Sequence, residues 1–114
     1  MRKLHYYIQI RLAKKEFFFG PGVLSLLRLV QKYKSLSIAS KKMNLSYSKA
    51  YKMVKGSEEA LGFKLLNRKI GGLGGGGSTL TPECVKFIDK YSDFSKEIDE
   101  KAFEIFKKYF DEYI

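Results

Sequence analysis

The sequence predicts a mainly α fold carrying small β-hairpins. Apolar residues recur at helical spacing in four segments between Pro21 and Tyr113, and β-branched and aromatic residues alternate near the N-terminus. Capping and stop residues stand between these segments, and a glycine run at 71–77 separates two short apolar stretches. At 114 residues, with 45% hydrophobic and 15% aromatic content, the chain has material for one modest core, so one domain over 1–114 is expected.

In chain order, Leu4 to Leu12 alternates Tyr6, Ile8, Ile10 and Leu12, which predicts a strand. Ala13-Lys14-Lys15 then reads as a turn and Glu16 to Phe19 as its return, giving an N-terminal hairpin over 1–19. Pro21 suits the first turn of a helix running to about Lys34, where its missing N–H costs nothing. Val23, Leu24, Leu26, Leu27, Val30 and Tyr33 make the inward stripe of that helix, with Arg28, Lys32 and Lys34 outside it.

Ser37 is read as the cap of a short helix ending near Met43, with Ile38, Ala39 and Met43 inward and Ser40, Lys41 and Lys42 outward. Asn44-Leu45-Ser46 breaks it. A further helix, capped by Ser46 or its neighbour, runs to about Leu61 and stops at Gly62, with Ala50, Val54, Ala60 and Leu61 facing the core. Phe63 to Lys69 and Ser78 to Leu80 read as extended arms around the glycines. Thr81-Pro82-Glu83 then opens a last helix to about Tyr113. Helix, helix, turn, helix and strand-wing-strand is the order of a winged helix-turn-helix over 20–80, followed by a long helix over 81–114.

The formal charge of +10 is unevenly placed. Residues 1–27 carry +4, residues 28–69 carry +9 and residues 70–114 carry −3. A cationic middle favours a polyanionic partner docked there. The helix after the turn opens Ser46-Tyr47-Ser48-Lys49-Ala50-Tyr51-Lys52, which puts hydroxyl, phenol and ammonium groups on its first two turns. Such groups suit a major groove, since Ser and Lys donate to phosphates or base edges and Tyr packs on sugars or thymine methyls. Helical periodicity puts Tyr47 and Tyr51 on one face, Ser48 and Lys52 on the next, and leaves Ala50 to the preceding helix.

Phosphate contacts are expected from Lys41, Lys42, Lys49, Lys52, Arg68 and Lys69, and base reading mainly from Ser48, Lys49, Tyr51 and Lys52. Ser37, Ser46, Tyr47 and the wing glycines Gly74, Gly75 and Gly76 complete the expected DNA-binding set. Gly72 to Gly77 also matches G-x-G-x-x-G, but a dinucleotide site needs a helix N-terminus at its end, and Ser78 to Leu80 intervenes.

In the last helix Ile88, Ser95, Ala102 and Tyr109 recur every seven residues, and Tyr91, Ile98 and Ile105 fall three positions later. This stripe, widened by Phe87, Phe94 and Phe106, is more than one small domain must cover. A homodimer over Ile88, Tyr91, Phe94, Ile98, Ala102, Ile105 and Tyr109 is expected; folding back on its own domain is the alternative.

His5 has no matched nucleophile or metal-ligand partner, and no enzyme activity, metal or other cofactor is expected. The lone Cys84 reads as a small buried hydrophobe in a reducing cytoplasm. No apolar segment matches a signal peptide or a membrane span, so a cytoplasmic location without membrane partners is expected.

From Gly20 to about Tyr91 the sequence resembles the N-terminal DNA-binding domain of ModE-type molybdate-responsive regulators, themselves similar to the winged helix of LysR-type regulators. Four stretches carry the resemblance: Phe19-Gly20-Pro21-Gly22, Ser35 to Ser40, Met43 to Tyr51, and Gly71 to Gly77 through Leu80-Thr81-Pro82. The resemblance implies a homodimeric transcription regulator that binds double-stranded DNA, with a recognition helix beginning near Ser46 to Tyr51 and a wing at 71–78. Molybdate-sensing members carry oxyanion-binding domains after this one, whereas this sequence ends at Ile114, so direct molybdate binding is not expected. The family is often basic after the turn's Ser-Tyr; here Ser48 stands there, followed by Lys49. An architectural or protein-interaction module is the competing reading.

Overall fold

Each of the four α-helices among the described residues starts at a capping side chain or a proline, which deals with part of its unpaired N–H groups. A computed structural model describes residues 3–68 and 77–114. Two short strands, β1 (Leu12–Ala13) and β2 (Phe17–Phe19), pair antiparallel and lead into α1 (Pro21–Tyr33). The helices α2 (Leu36–Lys42) and α3 (Tyr47–Leu61) follow, then β3 (Leu66–Arg68) and β4 (Ser78–Leu80), then the 29-residue α4 (Pro82–Phe110) and one 3₁₀ turn over Asp111–Tyr113. β3 and β4 form an antiparallel pair in the register Leu66–Leu80, Asn67–Thr79 and Arg68–Ser78. This is a winged helix-turn-helix with a long C-terminal helix.

The core lies between α1, α2, α3 and the first three turns of α4. Leu26, Leu27, Val30, Leu36, Ala39, Ala50, Val54, Leu65, Cys84 and Ile88 are buried there. Phe19 closes it from the hairpin side, edge-on to Phe87 and Tyr91 at 4.9 Å each, a geometry that aromatic quadrupoles favour.

Four expectations change. The predicted strand over Leu4 to Leu12 shrinks to Leu12–Ala13, because its partner is three residues long and ends at Gly20-Pro21. Residues before it run along α4 instead: the Tyr91 hydroxyl donates to Ile10 O at 2.6 Å, and Tyr6 sits 4.9 Å from Phe106. Secondly, Ser35 rather than Ser37 caps α2, accepting from the Ile38 N–H. Starting at Leu36 puts Leu36, Ala39, Ser40 and Met43 at the i, i+3, i+4, i+7 spacing of one face. Hence Ser40 is buried and bonds Ser37 O, while Ile38 is 42% exposed. Thirdly, regular helix ends at Phe110, not Tyr113. Finally, Ile88 and Tyr91 belong to this chain's own core, which removes them from any partner-facing surface.

Candidate nucleic-acid interface

The turn before α3 is held by local chemistry. Asn44 adopts a left-handed conformation (φ 57°), which asparagine tolerates better than most residues. Ser46 then caps α3 by accepting from the Lys49 N–H at 3.1 Å, an interaction typically worth about 1 kcal/mol. The stripe Ala50, Val54 and Ser57 faces inward. Consequently Tyr47, Ser48, Lys49, Tyr51 and Lys52 face outward together. The Tyr47 and Tyr51 rings stack at 6.5 Å and 29°, forming a continuous amphipathic face.

The wing strands are anchored to this helix at several points. The Glu58 carboxylate accepts from the backbone N–H groups of Leu65 (2.8 Å) and Leu66 (3.4 Å), so α3 itself orients β3. Arg68, at the outer end of β3, places its guanidinium 4.5 Å over the Tyr51 ring, a cation–π contact that joins the wing base to the exposed face of α3. On the other arm, Ser78 N–H donates to Lys34 O at 3.0 Å. A Cβ on Gly77 would come 3.3 Å from that same oxygen, so glycine is what lets the strand pass so close. Thr81 completes the frame: its hydroxyl donates to Lys64 O and accepts from Cys84 N–H, fixing the wing to the start of α4.

A second cationic group gathers where α1 meets α2. Lys32 and Lys42 place their ammonium groups 5.3 and 5.2 Å from the Tyr33 ring centre, and Lys34 adjoins them in a left-handed cap (φ 56°). Lys34 also accepts the returning wing strand through its carbonyl, so this cluster lies beside the wing.

Residues 23–84, more than half of the chain, match the bacterial regulatory helix-turn-helix proteins of the lysR family. The chain belongs to that family. It is 30% identical over 92 residues to the DNA-binding transcriptional dual regulator ModE of Escherichia coli (strain K12) and to the transcriptional regulator ModE of Shigella flexneri. Those alignments take in 81% of this chain and 35% of each relative, so this lysR-family chain spans about a third of the length of the curated relatives it matches. Its fold is also that of ArgP from Mycobacterium tuberculosis, with a TM-score of 0.52, 17% identity, and coverage of 73% of this chain and 29% of that one.

Of the residues expected from sequence, Ser37, Lys41 and Lys42 on α2, Ser46, Tyr47, Ser48, Lys49, Tyr51 and Lys52 at or on α3, and Arg68 on β3 are all exposed. Lys69, Gly74, Gly75 and Gly76 lie outside the described residues. Three contributors went unread in the sequence. Ser57 is fully buried and donates to Phe18 O, tying the hairpin to α3; its spacing from Ala50 and Val54 was the available signal. Glu58 as wing anchor and the Lys32, Lys34 and Lys42 grouping depend on contacts between elements, which local periodicity does not encode. Among the described residues no group of three or more His, Cys, Asp or Glu could hold a metal ion, and no helix is long and apolar enough to cross a membrane.

Proposed function

We propose that this chain is a ModE-like transcriptional regulator that binds double-stranded DNA sequence-specifically, with α3 in the major groove and the wing against the backbone or minor groove. One observation carries the reading: a Ser46-capped helix seals the core with Ala50, Val54 and Ser57 and turns Tyr47, Ser48, Lys49, Tyr51 and Lys52 outward, with Arg68 of the wing stacked on Tyr51. Lys49 and Ser48 stand where donors reach base edges, and Lys41, Lys42, Lys52 and Arg68 supply phosphate contacts.

The homodimer belongs to the same proposal. Beyond Tyr91, α4 exposes Phe94, Ile105 and Tyr109, which helical phase puts on one face, an apolar surface that a second copy would cover. Two copies then present two α3 helices to half-sites about one DNA turn apart.

Selection from a randomised duplex pool, followed by titration of the enriched sequence at several salt concentrations, tests the proposal. Enrichment of one pseudo-palindrome and a log–log salt slope of several units are expected. A pool that stays random through selection, as an architectural or protein-interaction module would leave it, contradicts sequence-specific reading.

A further inference from the structure

We propose that the β1–β2 hairpin and the groove between it and α3 hold the sugar-phosphate backbone of duplex DNA that flanks the recognised base pairs. The inference rests on the DNA-binding reading above. The hairpin precedes the family-matched residues 23–84, so the match gives it no role.

The groove measures about 860 Å³ and is lined by Arg11, Lys14 and Lys15 from the hairpin and by Lys52, Met53 and Glu59 from α3. Lys52 is also part of the outward face of α3, so groove and recognition face form one continuous surface. All four cations are exposed, and none enters an ion pair among the described residues. Glu16 and Glu59 line the same groove and offset only two of the four positive charges. The surplus favours an anionic occupant, and a groove open at the edge of a DNA-facing helix favours a chain of phosphates.

The hairpin is held in place while its tip is free to touch a ligand. Phe19 is buried against Phe87 and Tyr91, and Ser57 bonds Phe18 O, which fixes β2 on α3. Phe17, by contrast, is 72% exposed, with the Arg11 guanidinium 5.8 Å from its ring centre. An aromatic face beside an arginine matches the alternation of deoxyribose and phosphate along a strand.

The test compares the parent protein and the double variant Lys14→Gln/Lys15→Gln on two duplexes. One carries the selected site alone; the other extends it by about one helical turn (~10 base pairs) on each side. On the extended duplex the variant is expected to lose affinity, and its salt slope to fall by roughly 1.8 per protomer as two phosphate contacts vanish. On the short duplex it should match the parent, whereas Lys49→Gln should weaken binding to both. Equal affinity and slope for variant and parent on the extended duplex overturns the hairpin's role and leaves the recognition reading standing, as does an equal loss on both duplexes. A parent that binds neither duplex overturns the recognition reading and this inference with it. Superimposable melting curves for parent and variant show that the fold is unchanged.

Discussion

The aromatic side chains exposed on α3 and on α4 differ in what surrounds the rings. On α3 the exposed rings are Tyr47 (49%) and Tyr51 (37%), each with a phenol at its tip and flanked by Lys49, Lys52 and Arg68. Beyond Tyr91, α4 exposes Phe94, Phe103 (51%), Phe110 and Ile105 (58%), in a segment rich in carboxylates. Tyrosines among cations favour a wet, polyanionic partner. Phenylalanine and isoleucine among acids repel a polyanion but gain from burial against another apolar face, at about 25 cal/mol per Å². On the proposed reading, DNA recognition and self-association fall on surfaces of opposite chemistry.

Substitutions in α4 give the sharpest break in that comparison. Ile88→Ala should cost about 2–5 kcal/mol of stability, because Ile88 is fully buried, whereas Ile105→Ala should change stability by no more than about 0.5 kcal/mol. Ile105→Asp combined with Tyr109→Asp should keep the helical circular-dichroism spectrum, yield a monomer by light scattering, remove any dependence of the melting temperature on protein concentration, and weaken binding to a two-half-site duplex by about 10²- to 10⁴-fold through lost bivalency. Unchanged mass for that variant would show that α4 is not the pairing surface.

On the α3 surface, Lys49→Gln/Lys52→Gln should lower the salt slope by roughly 0.9 per protomer, through the Lys52 phosphate contact, and relax discrimination between the selected site and scrambled DNA through Lys49, read by titration at several salt concentrations. A smaller effect is expected at the wing anchor. Glu58→Gln weakens two charge-assisted bonds to Leu65 and Leu66 N–H, so a stability loss of about 1.5 kcal/mol should appear in urea unfolding.

The smallest effect concerns Cys84. Burial pushes its thiol up to about 12 from the ordinary 9.0, only partly opposed by nearby Arg28. The folded state holds the neutral thiol, so its contribution is complete below pH 9 and is lost as the pH rises from there through about 12, where the folded thiol also ionises. Iodoacetamide at pH 8 should accordingly modify Cys84 only as fast as the protein opens, with rapid labelling in urea as the control.

Much of the fold was legible because the deciding signals are local. Ser46 and Gly62 at the ends of α3, and Thr81-Pro82 at the start of α4, each act on their own few residues, and the structure keeps all of them. The α2 boundary misled because Ser35 and Ser37 both suit a cap; only burial of Leu36 decides for Ser35. The long N-terminal strand failed for want of a partner, a property of β2 and Pro21 rather than of residues 4–11. In the site, outward residues of α3 follow from helical phase, whereas Glu58 reaching back to Leu65 and Arg68 stacking on Tyr51 are tertiary events. The hairpin groove is of the same kind, since it joins Lys14 and Lys15 to Lys52 across 37 residues of chain.

Footprinting of the selected duplex tests the central claim most directly. A symmetric dimer with α3 in the major groove predicts two protected major-groove patches on one face of the duplex, centred about 10 base pairs apart, with protection weakened at both by Lys49→Gln. A single patch, or uniform protection that ignores sequence, would contradict the account.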